Sequence, residues 1–124
     1  MASVQSACIR FLLKRANLWN KPVAEIRENL KKVKPQGLPT GVSEELTVIN
    51  GVNCKVFIPA EGLKNKAILY FHGGGFCLGI YHPNREFVAR MAKESGVKVL
   101  MPDYRLAPEN PFPAADYCSR LCWR

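Results

Sequence analysis

The residues of this chain best suited to chemistry are a histidine and three consecutive glycines: His72, Gly73, Gly74 and Gly75. Because glycine has no Cβ atom, the backbone of such a loop can turn sharply and a ligand can approach its peptide groups closely. Bare peptide N–H groups can donate hydrogen bonds to an oxygen that becomes negative during acyl transfer. The loop is therefore a candidate oxyanion-binding site.

Two other interpretations of the loop stay open from these residues alone. A phosphate-binding loop would place Gly-Lys-Ser or Gly-Lys-Thr, or a GxGxxG turn, at the start of a helix. Here the glycines are followed by the apolar residues Phe76, Cys77 and Leu78, which disfavours phosphate. A flexible turn without chemistry is the other possibility, since short motifs often match by chance.

Two strands and a helix are predicted around the loop. Residues 67–71 form a nearly continuous apolar run, which predicts a strand buried on both faces in a parallel sheet. Residues 83–95 predict a helix that Gly96 ends, and residues 97–101 predict another strand. The resulting βαβ unit should be parallel and right-handed, with the loop at the carboxyl end of a strand, where α/β sheets place their sites. The helix is expected to direct four apolar side chains inward: Phe87, Val88, Met91 and Ala92.

A hairpin is predicted before this unit. Residues 45–49 and 53–58 have the composition of strands, and Asn50-Gly51 lies between them. This dipeptide favours a type I′ turn, which requires positive φ at both central positions. Residues 60–65 are predicted to form a polar loop.

Two amphipathic helices are predicted at the N-terminus. The first covers residues 4–19, and the second begins near Pro22 and is stopped by Pro35. The apolar stripe of the second helix consists of Val23, Ile26, Leu30 and Val33. Residues 35–41 are rich in proline and glycine and are interpreted as a linker.

Length and composition are those of a globular domain, with 124 residues, 48% hydrophobic and 23% charged. No apolar run reaches membrane-spanning length and no signal peptide is recognisable, so a cytoplasmic location is expected. Residues 1–35 hold eight basic and two acidic residues, a net +6 of the chain's +8. This segment could contact nucleic acid or an anionic membrane, but no nucleic-acid motif accompanies it. We interpret it as the solvated face of two helices and expect no nucleic-acid partner.

The cysteines predict neither a disulfide framework nor a metal site. There are five, at positions 8, 54, 77, 118 and 122, without a CxxC pair, which favours reduced thiols. His72, His82 and these cysteines could in principle be recruited by a metal, but no spacing among them matches a zinc pattern. His82 precedes Pro83, which favours a place at a helix start or in a loop. No metal or other cofactor is expected.

A second motif joins the glycine loop and identifies a family resemblance. Residues 102–109, PDYRLAPE, and residues 111–115, PFPAA, follow the second strand of the βαβ unit. Together with HGGGF upstream, they resemble the hormone-sensitive-lipase-like family of α/β-hydrolase esterases. The resemblance covers residues 40–115, and the N-terminal helices are similar to the family's cap segment. It implies a cap at residues 1–34 and an incomplete α/β-hydrolase core at residues 35–124.

The resemblance implies roles for individual residues. The N–H groups of Gly74 and Gly75 would point into the oxyanion hole, with His72 and Gly73 shaping the loop. Two apolar side chains would line the substrate pocket: Phe76 and Leu78. Four residues would be structural elements near the site: Asp103, Tyr104, Arg105 and Glu109. Among these, Arg105 is expected to pair with Asp103 or Glu109 and to brace the site.

The catalytic triad of the family has no counterpart in this sequence. The family's serine lies in a GxSxG turn, followed by an acid and a histidine, and none of the 124 residues forms that pattern. Ser43, Ser95 and Ser119 all lie in other contexts. The sequence therefore predicts the N-terminal part of an α/β-hydrolase fold, with two cap helices, a hairpin and a βαβ unit, truncated before the nucleophile.

Three functional hypotheses follow from this resemblance. The first is a carboxylic-ester hydrolase that acts by a serine nucleophile on small-molecule esters, without a cofactor, and that is inactive as this chain alone. The second is a non-catalytic small-molecule-binding protein on the same scaffold, and the third is a gene fragment without function. Self-association through an exposed sheet edge is expected because the neighbouring strand is missing, and a well-folded monomer would favour the binding-protein hypothesis.

Overall fold

A computed structural model describes residues 21–123, which form three helices and a four-stranded sheet. The elements in chain order are α1 (Val23–Lys31), β1 (Val42–Ile49), β2 (Val52–Pro59), β3 (Leu63–Leu69), α2 (His82–Ser95), β4 (Val97–Pro102) and α3 (Ala114–Trp123). The chain divides into two compact units, with the boundary after Lys32. The predicted helix over residues 4–19 lies outside the described residues.

The helix α1 is shorter than the sequence suggested. It begins after Pro22 and ends at Lys31, and the next residue, Lys32, is its C-cap. Val33, which was assigned to the apolar stripe, lies beyond the helix and is 43% exposed. The prediction that Pro35 ends this helix was therefore wrong by about one turn.

The sheet has the order β1-β2-β4-β3. Strands β1 and β2 form the predicted antiparallel hairpin, and its turn has the expected positive φ at Asn50 (47°) and Gly51 (82°). Strand β2 pairs antiparallel with β4, and β4 pairs parallel with β3. The predicted parallel βαβ unit, β3-α2-β4, is thereby confirmed.

Two apolar clusters lie on opposite faces of the sheet. Alternate residues of a strand face opposite sides, so Phe57 of β2 contacts α2 while Cys54 of the same strand lies on the side of α3. The α2 cluster consists of Phe57, Val88, Ala89, Ala92, Val99 and Met101. The α3 cluster consists of Val52, Cys54, Tyr104, Ala115 and Cys118.

Helix α2 has the predicted ends but a slightly different buried face. His82 is its first residue, as expected, and Gly96 ends it in the left-handed conformation at φ 62°. Phe87 was predicted to face inward, but it is 53% exposed and Ala89 is buried instead. The reason is that the buried stripe of the helix is centred one residue later, which leaves the Phe87 ring against Tyr70 at a centroid distance of 5.7 Å.

The strand before the glycine loop differs most from its prediction. It covers Leu63–Leu69 rather than residues 67–71, so part of the predicted polar loop is strand. Ala67 is exposed, and Phe71 lies beyond the strand with 41% exposure. Burial on both faces was wrong, because none of the β3 side chains that the structure describes is buried. Among the described residues, β3 is also an edge strand, with β4 as its one neighbour. The expected sheet edge is thus observed.

Candidate functional site

The glycine loop and the segment after β4 meet at one edge of the sheet. Strands β3 and β4 are parallel, so their carboxyl ends lie side by side. The residues that follow β3 include His72, and Tyr104 follows β4 by two residues. Both side chains are buried, with 3% exposure for His72 and 4% for Tyr104.

His72 and Tyr104 form the centre of this site. Their rings are stacked, with a centroid distance of 4.2 Å and an interplanar angle of 9°. The Tyr104 hydroxyl donates a short hydrogen bond to the backbone carbonyl of His72, and its oxygen lies 3.2 Å from the His72 Nδ1. Burial raises the pKa of the Tyr104 phenol, and the nearby Tyr70 and Asp103 raise it further. The hydroxyl therefore keeps its proton and acts as a donor.

The imidazole of His72 has one partnered and one unpartnered nitrogen. Nδ1 lies 3.0 Å from the carbonyl oxygen of Gly73, which can only accept, so Nδ1 carries the proton. In the part of the chain that the structure describes, Nε2 is buried and has no hydrogen-bond partner. The ring thus holds the loop on one side and presents a bare acceptor on the other.

The glycines of the loop adopt conformations that other residues rarely reach. The φ angles are 126° at Gly74 and 61° at Gly75. A Cβ atom on Gly74 would lie 2.7 Å from the Cβ of Leu78, and backbone bonds from Cys77 and Leu78 to the Gly74 carbonyl close the turn there. A side chain at Gly75 would meet nothing within 4 Å, so only its φ demands glycine.

The peptide N–H groups of Gly74 and Gly75 are available as donors. Among the described residues, no hydrogen bond uses either group. Gly75 is exposed and Gly74 is half-buried, so both can be reached by a small molecule. Two adjacent unpartnered donors on a fixed turn can bind an oxygen that carries negative charge.

The other predicted site residues surround this turn to different degrees. The Phe76 ring lies 6.3 Å from that of Tyr104, is 63% exposed, and has a positive φ of 58°. Its carbonyl accepts a hydrogen bond from the N–H of Ala107, which joins the loop to the segment after β4. Leu78 is half-buried beside Gly74. Phe76 therefore lies near Tyr104 and Leu78 lies beside Gly74.

The charged residues of the second motif lie at the surface of the described chain. Asp103, Arg105 and Glu109 are all exposed. The expected pairing of Arg105 with Asp103 or Glu109 stays a prediction. Tyr104 and the backbone N–H of Ala107 link the motif to the loop. An aromatic hydroxyl after the neighbouring parallel strand was the sequence signal for this link.

Neither a membrane span nor a metal site appears in the described part of the chain. No helix there has both the length and the apolar character needed to cross a bilayer. No group of three or more histidine, cysteine or acidic side chains there lies close enough together to hold a metal ion.

Sequence comparison relates the chain to hydrolases. Residues 68–123 match a family described as alpha/beta hydrolase fold, so the match runs beyond residue 115 and includes α3. The chain is 39% identical over 87 residues to "Probable carboxylesterase 6" of Arabidopsis thaliana, covering 60% of this chain and 25% of that protein. It is 47% identical over 59 residues to "Lipase 2" of a Moraxella species, covering 46% of this chain and 14% of the lipase.

Solved structures give the same relationship. An esterase/lipase from an uncultured bacterium superimposes with a TM-score of 0.76 and 31% identity, covering 85% of this chain and 36% of that one. An esterase from the bacterial hormone-sensitive lipase family gives a TM-score of 0.73 and 30% identity, covering 90% and 38%. The chain spans between a seventh and two fifths of the length of these four proteins.

Proposed function

Since the chain belongs to the hormone-sensitive-lipase-like family of α/β-hydrolases, we propose that its glycine loop is the oxyanion-binding part of a carboxylic-ester hydrolase site. The observation that carries this proposal is the pair of unpartnered N–H groups at Gly74 and Gly75 on a turn that only glycine fits well. In the complete enzyme, a serine would attack the carbonyl carbon of a small ester and a histidine would take the serine's proton. The two N–H groups would then stabilise the oxyanion.

We propose that His72 and Tyr104 keep the loop in this conformation. The Tyr104 hydroxyl fixes the His72 carbonyl, and the protonated Nδ1 fixes the Gly73 carbonyl. With both carbonyls held, the following peptide groups have little freedom to rotate. Such preorganisation matters because donors that must reorient during the reaction stabilise the transition state less. Phe76 and Leu78 would contact the apolar part of the ester.

We further propose that this chain alone does not hydrolyse esters. None of its residues forms a GxSxG turn. Three serine hydroxyls of the described part contact backbone carbonyls, at 3.5 Å for Ser43, 2.7 Å for Ser95 and 2.9 Å for Ser119. None of these three contacts a histidine nitrogen. A purified sample should therefore show no turnover of a short-chain nitrophenyl ester above buffer, and activity that disappears with a substitution at one of these serines would contradict this.

The role of the loop can be tested in a chimeric enzyme. In this chimera, the chain replaces the matching part of the esterase from the bacterial hormone-sensitive lipase family. Gly74→Ala should lower kcat by about 10² to 10³ with little change in KM, because one oxyanion donor is misplaced. Gly37→Ala is the matched control, since a Cβ atom there meets nothing within 4 Å and its φ is ordinary. A Gly74→Ala chimera that folds and changes only KM would show that the loop binds substrate without stabilising the oxyanion.

A further inference from the structure

Two cysteines that are distant in sequence meet between the sheet and the last helix. The Sγ atoms of Cys54 in β2 and Cys122 in α3 lie 4.0 Å apart, although the residues are 68 positions apart. Both are thiols in this structure. A disulfide bond requires a distance of about 2.05 Å, so the sulfurs must approach by roughly 2 Å. A rotation of the Cys122 side chain in the last turn of α3 with a small shift of the helix end could supply this.

The end of α3 is held in a position that favours this contact. The side-chain amide of Asn50, in the hairpin turn, donates to the Leu121 carbonyl at 2.8 Å. Cys54 is fully buried, and its thiol contacts the Val52 carbonyl at 3.5 Å. Because both ends of the pair are fixed by neighbouring backbone, the sulfurs stay close in the folded state and separate on unfolding.

We propose that Cys54 and Cys122 form a disulfide when the folded chain meets a low-molecular-weight disulfide such as oxidised glutathione, and that this bond fixes α3 to the sheet. The half-buried Cys122 thiolate attacks glutathione disulfide and releases one glutathione thiolate. The Cys54 thiolate then attacks the Cys122 sulfur of the mixed disulfide and displaces the second. Two protein thiols lose two protons and two electrons, and glutathione disulfide becomes two molecules of glutathione.

The other cysteines of the described chain are less suited to this reaction. Cys118 lies one helical turn before Cys122 and is buried in the same cluster. Side chains four positions apart on a helix are held about 5–6 Å apart at their Cβ atoms, which exceeds the usual distance for a disulfide. Cys77 belongs to the glycine loop. Cys118 is therefore a matched control rather than a competing partner.

Burial makes the reaction slow at neutral pH and faster in alkali. Burial, together with the neighbouring Cys122, raises the pKa of the Cys54 thiol to about 12, and burial also raises the pKa of Cys122. Only the thiolate attacks a disulfide, so the rate should rise with pH well beyond neutrality. In the linked state, a long loop of the unfolded chain is closed, and the melting temperature should rise by about 10 °C.

The test is to incubate the folded full chain with oxidised glutathione and to digest it under non-reducing conditions. Mass spectrometry should find the Cys54 peptide linked to the Cys122 peptide, and the melting temperature should rise and return to its original value after reduction. Cys118→Ser should keep both results, and Cys122→Ser should abolish both. Cys54→Ala should also abolish both results, and it introduces no hydroxyl at this buried position.

Three results would overturn the proposal. The first is a link between Cys118 and Cys122, and the second is a chain that carries only glutathione adducts while still folded. The third is a link between Cys54 and Cys122 that forms equally fast in urea, because the proximity would then not come from the fold.

Discussion

The hydroxyl of Tyr104 donates to the backbone carbonyl of His72 while the two rings stack at 4.2 Å. One side chain thereby connects the carboxyl ends of two parallel strands, and it does so inside the apolar cluster on the α3 side of the sheet. The conformation of the glycine loop is thus joined to the packing of the last helix. The stability of the chain and the shape of the loop should respond together to changes at Tyr104.

Removal of the Tyr104 hydroxyl should lower the free energy of unfolding. Tyr104→Phe leaves the buried His72 carbonyl without its donor, and a buried polar group without a partner costs about 1–3 kcal/mol. Urea denaturation should show this loss in the free energy of unfolding. Tyr117→Phe is the matched control, because Tyr117 is 56% exposed and should change stability by less than about 0.5 kcal/mol. Equal effects of the two substitutions would argue against the role of Tyr104.

Acid should destabilise the chain through Glu44. Its carboxylate bonds to Lys55 at 2.8 Å and to Arg85 of α2, and only 13% of its side chain is exposed. Burial raises the pKa of Glu44, but the bonds from Lys55 and Arg85 together outweigh burial and lower it below its ordinary 4.5. The folded pKa lies below the unfolded one, so the stabilisation is present above about pH 4.5 and is lost as pH falls through the folded value.

A comparison of variants isolates this effect. Glu44→Gln should lower the melting temperature at pH 7 and should flatten its dependence on pH between about 5 and 3. Glu45→Gln, at the neighbouring exposed position of β1, is the matched control and should leave the pH profile unchanged. If Glu44→Gln keeps the steep acid limb of the parent chain, other carboxylates must be responsible for it.

The edge of the sheet at β3 should promote self-association. Half-buried Ile68 and Leu69 follow exposed Ala67 on a strand that, within residues 21–123, has a neighbour on one side alone, and open apolar edges pair with other chains. The start of β3 is better protected against pairing with another chain than the sequence suggested. It contains exposed Lys66, and its register with β4 is irregular after Leu63. We therefore expect the contact at residues 67–69, and light scattering during size-exclusion chromatography should show concentration-dependent oligomers.

A proline at the edge tests this contact directly. The Tyr70 N–H bonds to the Leu100 carbonyl of β4, and alternation along a strand therefore directs the Ala67 N–H toward the open side. Ala67→Pro should reduce association without unfolding, because it removes only an outward donor. Ile68→Pro removes a donor that faces β4 and should unfold the sheet. Unchanged oligomers in a folded Ala67→Pro chain would place the contact elsewhere.

Residues 1–34 should act as a cap in a complete enzyme, as the sequence resemblance implies. Deleting them from the esterase chimera should change the preference for acyl chain length or lower the melting temperature. Replacing them with a flexible linker of equal length is the control, because it keeps an N-terminal extension but removes its sequence. Retention of both properties in the deletion would mean that the segment is only a tail.

Short sequence motifs predicted the turns and helix ends whose conformation depends on neighbouring residues in the chain. Asn50-Gly51 determined the hairpin turn and Gly96 the end of α2, because both sites need positive φ. The exposure of the β3 side chains was not predicted in this way, since an apolar run does not show how far other elements cover the two faces of the strand. Phe87 was placed wrongly for a similar reason: a shift of one residue in helical phase depends on packing and not on composition.

In the candidate site, too, the features set by residue type were predicted and those set by tertiary packing were not. The glycines and the adjoining histidine were evident from their types, since few other roles require three successive glycines. The bond from Tyr104 to the His72 carbonyl was not evident, because it depends on the relative register of two parallel strands. The contact between Cys54 and Cys122 needed in addition the position of α3 on the sheet, which no local pattern specifies.

The contact between Asn50 and the end of α3 narrows the set of residue types that fit at position 50. A type I′ turn accepts asparagine, aspartate or glycine at its first central position. The amide of Asn50, however, also donates to the Leu121 carbonyl at the end of α3. Glycine would leave that exposed carbonyl to water, and aspartate would place a negative charge against it. A position that is permissive in the isolated hairpin therefore favours asparagine because of a residue 71 positions later in the chain.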